Sequence, residues 1–483
     1  MVQQMTGIEA QSAPTTWDLP LEAGGTWMPD PMHFPRPLSP LFQTVFGPAF
    51  ARGFTTALQE ARAPIAAVDV RFPNGYYFNR FEILQPADEE QARGMGEIAE
   101  GIGKREIGRL LERWEGEHLP AVLNGIDRLR AIEVERADGH ERIALIDEVQ
   151  QILAEGWLIH FRIVVPMMLA MGLYDDLYAD LFGGDAADGH ALLVGQLTKS
   201  VEAGIGLSDL AADARRAGLD RLILDTTAED VLFELETTAA GRAFAARIRA
   251  YLDEFGLRQD LFDLVQPTWK EEPAIAIATL QAYLRAGHDA RAEHERSVRS
   301  AEAATSAARA HLASYPAAVR EQFEAILAAA RAASFLQEQH NFFIDQVGLS
   351  LVRLFFLRLG RRFVAWNVID VAEDIFLLTA DEVKAIAAGP VGADRNVDVR
   401  AIVDERRLAG ERAARLTPPA FLGEPPTAPP VEGPFDRALT KFFGGPPQVA
   451  EAPNQLKGNA GSRGVVRGVA RVALTLQEAK ALQ

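Results

Sequence analysis

Residues 338–346 read EQHNFFIDQ and run straight into the apolar stretch VGLSLVRLFFLRLG. They place an imidazole (His340), an amide (Asn341) and a carboxylate (Asp345) on the way into a core. Burying such groups without partners costs ~2–7 kcal/mol each, so something has to use them. A neutral imidazole near pH 7 can accept a proton, and a carboxylate can hold a partner in the right tautomer. Read as an α-helix, the segment puts Gln337, Asn341 and Asp345 at i, i+4 and i+8 on one face, with His340 beside it. The simpler alternative is a polar helix face bonded to its neighbours.

Other reactive types are scattered. His160 and Arg162 interrupt an apolar helix in GWLIHFRIVVP, and His33 and Arg36 lie on the Pro-rich HFPRPLSPLF, where binding residues often sit. Lys199, in GQLTKS, and Arg258, in FGLRQD, could attract an anion, although Arg258 reads equally well as a structural ion pair. Arg353, Arg358, Arg361 and Arg362 read as a solvated or interdomain face. Tyr76, Tyr77, Phe342, Phe343 and Trp366 could wall an aromatic pocket, the alternative being ordinary core. No His, Asp or Glu spacing reads as a metal cluster, and the chain has no cysteine, which removes disulfides, thiolate metal sites and a Cys nucleophile.

The elements that must position these residues are mostly helical. From about 88 to 412 nearly every stretch has helical periodicity, with RIALIDEVQQILAEGWLIHFRIVVPMMLAMGLYDDLYADLF reading as a pair of apolar helices. IAAVDVRFPNGYYFNRFEIL, at 65–84, is a hairpin around Pro-Asn-Gly. Ten of the 27 prolines fall within 416–455, a linker composition. This predicts a mostly α fold with a small N-terminal β-hairpin region. Its parts are an extended arm at 1–45, a helical domain at 46–415, a Pro-rich linker at 416–455 and, at 456–483, the start of a small α/β domain. A net charge of −18 disfavours nucleic acid and anionic membrane surfaces. The N-terminus lacks a signal-peptide pattern and the longest apolar run is short of a membrane span, so a cytoplasmic location is expected.

Three segments carry a resemblance. LKGNAGSRGVVRGVARV, with Gly458, Ser462, Gly464, Gly468, Ala470, Arg471 and Val472 in register, is similar to the opening of the swivelling phosphohistidine domain of phosphoenolpyruvate-utilising, dikinase-type phosphotransferases. VIDVAEDIFLLTADEV, at 368–383, resembles the segment before the linker in that family. FGLRQDLFDLVQPTWKEEP, at 255–273, resembles the Gly-x-Arg … Pro-x-Trp-x-Glu-x-Pro signature of rifampin-phosphotransferase-like members. HFPRPLSPLF and NGYYF also match the start of that middle domain. No segment resembles the family's ATP-grasp domain.

The resemblance implies that ATP is split to AMP and phosphate while a carrier histidine is phosphorylated, and that the carrier then swings to a hydroxyl acceptor. It implies ATP and Mg²⁺ on a separate domain or ATP-grasp subunit, with none bound by this chain. It also implies an arrangement similar to that of phenylphosphate synthase, with a phenol or related aromatic alcohol as acceptor. His340 and Asp345 are then the expected catalytic pair, and Gln337, Asn341, His160, Arg162, His33, Arg36, Lys199, Arg258 and Tyr77 the expected acceptor-binding residues. Gln337 and Asn341 stand where rifampin phosphotransferases carry basic residues. A rifamycin or phosphoenolpyruvate-synthase-like acceptor domain, or a non-catalytic helical scaffold, are the alternatives.

Overall fold

The hairpin forms where β-branched and aromatic residues flank the turn. β2 (Ile65–Arg71) pairs antiparallel with β3 (Phe78–Ile83). A tight turn at Pro73–Gly75 joins them, with Asn74 and Gly75 at positive φ, the conformation that Asn and Gly tolerate best. Two further strands complete the sheet in the order β2-β3-β1-β4. β1 (Thr26–Pro29) lies within the stretch expected to be an extended arm, and β4 (Leu422–Gly423) returns from the start of the Pro-rich stretch to pair with Thr26 and Trp27.

The computed structural model describes residue 17, residues 24–87, 89–183, 186–389, 398–424, residue 455 and residues 467–473. Most of the expected linker and most of the segment resembling a carrier domain lie outside these. The chain divides into two units, Met1–Phe443 and Gly444–Gln483, and the site lies in the first.

The helix pair expected from RIALID…DLF is one continuous helix, Gly139–Phe182. A capping box of Asp138 and Glu141 starts it and Gly183 in the left-handed conformation ends it, which satisfies both sets of terminal groups. Pro166 sits inside without ending it. This is the one described helix long and apolar enough to cross a membrane, but 56% of its apolar window is buried within the fold, as in a core helix. Helix Pro40–Glu60 lies against it at very close range. A β-carbon on Gly53 would come within 2.9 Å of the Trp157 carbonyl, so glycine sets that approach.

Ala317–His340 continues through Asn341–Gly348 into Leu349–Ala365. The middle segment has π-helical bonding, which widens the turn and shifts the register of everything beyond it. That shift decides how the site is built.

Candidate active site

Because of the π segment, Gln337, Asn341 and Asp345 do not share a face. Gln337 and Asn341 are exposed, while Asp345 turns inward, its side chain only 13% exposed. There its Oδ1 accepts a hydrogen bond from Nδ1 of His160, at 2.9 Å, across 185 residues of chain. Its Oδ2 lies 3.9 Å from Nε2 of His340. The expectation that Asp345 orients His340 is therefore corrected. The imidazole it holds is His160, and the two rings meet edge to face at 4.7 Å between centroids.

His340 is fully buried and donates Nδ1–H to the Leu336 carbonyl at 2.6 Å. That bond fixes the tautomer and leaves the Nε2 lone pair facing Asp345. Burial, with His160 beside it, pushes its pKa down to about 4 against the opposing pull of Asp345, so the ring is neutral at pH 7. The fold thus brings two imidazoles and a carboxylate together, with ligand-capable atoms all within 4.8 Å of one another. Sequence spacing gave no sign of this, because the partners come from separate helices.

An aromatic wall backs the cluster. His160 lies tilted against Trp157, 4.3 Å between ring centroids, and meets Phe161 edge-on. Trp157 in turn contacts Phe46 and Phe262, and Phe34 links Phe262 to Tyr77. Beside this wall His33 is half exposed and bonds through Nδ1 to the buried Asp30, at 2.8 Å. Burial lowers the pKa of His33, but the bond and charge of Asp30, together with Asp345, outweigh it and hold it above the ordinary value. Asp30, Trp157 and Phe262 escaped the sequence reading. Asp30, three residues before His33, was the one with a visible signal.

The remaining expected residues divide. Arg162 pairs with Glu60 through two hydrogen bonds, at 2.6 and 2.8 Å, and ties the two closely packed helices rather than joining the cluster. Arg36 is exposed. Lys199 pairs with Glu202 and Glu254 and lies over Phe255 and Phe342. Arg258 lies over Phe342 and Trp269, and its buried Nε has no hydrogen-bond partner among the described residues. Lys199 and Arg258 thus flank one ring, Phe342, at the π segment. Tyr76, Phe343 and Trp366 form no common wall with Tyr77. Tyr76 bonds to the Leu416 carbonyl, Phe343 packs near Trp114, and Trp366 lies beside Phe363 and Arg362. An apolar cavity of about 240 Å³ between Leu119–Ala131, the long helix and Phe343 contains none of the three clustered residues.

The middle-domain signature proves architectural. Glu271 binds Arg353 with both oxygens and accepts from Thr268, while the Trp269 ring nitrogen donates to Asp260. Arg353, expected on a solvated face, is buried. In the 368–383 segment Thr379 and Glu382 form a capping box, and Asp374 accepts from the Asp370 and Val371 amides.

Comparison with known proteins agrees with this architecture. The rifampicin phosphotransferase fourth domain family matches residues 160–338. Chondramide synthase cmdD of Chondromyces crocatus is 30% identical over 482 residues, covering 97% of this chain and 12% of that protein. The uncharacterized phosphotransferase YvkC of Bacillus subtilis (strain 168) is 24% identical over 408 residues, 83% of this chain and 46% of that protein. The chain is a relative of the phosphoenolpyruvate-utilising, dikinase-like phosphotransferases. It spans less than half the length of either relative. The segment matched to the fourth domain opens at His160, includes Lys199 and Arg258, and closes at Glu338, just before the π segment.

Proposed function

We propose that this chain carries the acceptor site of a dikinase-type phosphotransferase, where the hydroxyl of a phenol or related aromatic alcohol takes a phosphoryl group from a phosphohistidine. ATP and Mg²⁺ belong in this reading to a separate domain or subunit, and the setting is cytoplasmic. The observation that carries it is the His160–Asp345 bond at 2.9 Å against the aromatic wall of Trp157 and Phe161, in a chain related to phosphotransferases. A carboxylate-held imidazole is the ordinary form of a general base, and phosphoryl transfer asks for positioning and a proton acceptor more than for covalent help from the protein.

In the proposed step the acceptor hydroxyl lies at Nε2 of His160. Its oxygen attacks phosphorus and forms the O–P bond, and its proton passes to Nε2 of His160. The N–P bond to the carrier histidine breaks, and its electron pair returns to that imidazole. Asp345 stabilises the His160 imidazolium, and neutral His340 packs edge to face against the His160 ring. Arg258 and Lys199 supply positive charge for the phosphoryl oxygens. The exposed amides Gln337 and Asn341 in place of basic residues favour a phenol over a rifamycin, although the fourth-domain match keeps a rifamycin as the second reading.

The test is binding of phenol, cresols and rifampicin to the chain by calorimetry, followed by product formation with a phosphohistidine carrier and an ATP-binding partner. Binding of a phenol by the parent, with product formation falling far more than phenol affinity in His160→Gln, supports the reading. Tight rifampicin binding with no phenol binding replaces the phenol by a rifamycin, and binding of neither overturns the acceptor site.

A further inference from the structure

The lone pairs at the cluster also suit a cation. His340 keeps its Nδ1–H on the Leu336 carbonyl and presents a bare Nε2, the arrangement in which metal-bound histidines are held. Asp345 faces both rings, at 2.9 Å from Nδ1 of His160 and 3.9 Å from Nε2 of His340. A four-coordinate zinc with bonds of ~2.0–2.1 Å needs its ligands ~3.3 Å apart; the two separations, to different Asp345 oxygens, lie either side of that value, and the three ligand atoms all lie within 4.8 Å of one another. All three side chains are largely buried, and two of the three ligand positions are imidazoles, a donor set that suits transition ions over magnesium.

We infer that His160, His340 and Asp345 form a binding site for one divalent transition-metal ion of the zinc class, held by two imidazole nitrogens and a carboxylate with a fourth position open. The ion takes the place of the proton now shared between His160 and Asp345. That proton moves to Nε2 of His160 as the ring changes tautomer, while the His340 Nδ1–H stays on its carbonyl. The metal-loaded and proton-accepting states exclude each other, so zinc at this site suppresses the base function proposed above. The inference does not rest on that function, since the cluster geometry stands alone.

The test is titration of the metal-stripped chain with Zn²⁺ alone and Co²⁺ alone, read by calorimetry and by the visible absorption of tetrahedral cobalt, with Mg²⁺ as the contrast. One zinc per chain is expected, with the intense visible absorption of tetrahedral cobalt on loading with Co²⁺ and no binding of Mg²⁺ at the same concentrations. His160→Gln, His340→Gln and Asp345→Asn should each weaken it by at least ~10–100-fold, the scale on which even outer partners act, while the exposed His140→Ala binds like the parent. Parent-like affinity in two of the three variants overturns the site, as does failure of the parent to bind one zinc per chain. Should a variant fail to fold, the zinc stoichiometry and the tetrahedral cobalt spectrum of the parent decide. Neither readout uses phosphoryl transfer, so a failed metal site and a failed acceptor site are told apart.

Discussion

At the scale of the residue, the site depends on which imidazole the carboxylate holds. His160 is gripped by Asp345, and His340 by a backbone carbonyl. Changing His160 to Gln should lower phosphoryl transfer by ~10²-fold, the usual loss for a general base, with a smaller loss in acceptor affinity. Asp345→Asn should show a milder form of the same split, measured as product formed with AMP release followed separately. If His160→Gln stays within twofold of the parent while His340→Gln loses activity, the base is His340. A second residue-scale expectation concerns His118, which is buried beside Arg113 and Arg162. Burial first, and then Arg113, lower its pKa to about 4. The unfolded chain takes up its proton near pH 6.5 and the folded chain only near 4. Its stabilising contribution is therefore complete above pH 6.5 and is lost as pH falls towards 4, a change on the order of 3 kcal/mol. Urea unfolding at pH 7 and pH 5 should show the fold weakening with acid, and less so in His118→Gln.

At the scale of the element, two local devices aim the site. The π segment Asn341–Gly348 turns Asp345 inward while leaving Asn341 exposed. Deleting Asn341 removes the extra residue and rotates Asp345 by ~100° relative to the helix before it. The helix should survive by circular dichroism, while zinc binding and phosphoryl transfer are lost together. The second device is Gly53, which lets helix Pro40–Glu60 touch the backbone at Trp157, one turn before His160. Gly53→Ala pushes on a carbonyl that cannot swing away and should cost ~1–3 kcal/mol, seen as a lower thermal midpoint and a perturbed Trp157 environment. The Arg353–Glu271 pair secures the middle-domain loop to Leu349–Ala365. Arg353→Met strands Glu271 beside a core and should destabilise by ~3 kcal/mol, measured by the same unfolding curve.

At the scale of the whole molecule, the sheet and the long helix divide the labour. The strands β1 to β4 bring Thr26 and Leu422–Gly423 together from opposite ends of the described first unit. The helix Gly139–Phe182 carries His160 through the core and anchors Pro40–Glu60 beside it. The proposed separation of ATP chemistry from acceptor binding leads to one expectation at this scale: purified chain mixed with ATP and Mg²⁺ yields no AMP, and AMP appears on adding an ATP-binding partner with a phosphohistidine carrier. AMP from the chain alone would remove that division.

Local chemistry made part of this legible. The mostly helical class, the Pro-Asn-Gly hairpin and the family kinship follow from periodicity, turn residues and short motifs, all of which act between near neighbours in the chain. The polar run at 338–346 announced itself for the same reason, since its charges interrupt an apolar helix. What remained hidden was register and partnership. A strict 3.6-residue repeat puts Asp345 with Gln337 and Asn341, but π-helical bonding at Asn341–Gly348 turns it to the opposite company. The single helix through Pro166 looked like two because proline's local penalty is visible in sequence, whereas the core packing that outweighs it is not. His160 and Asp345 meet only because helix Gly139–Phe182 packs against the helix that runs from Ala317 through Gly348, far away in the chain, and no local rule encodes that meeting. The chemistry of each side chain was fixed by its type, and its partner was fixed by packing.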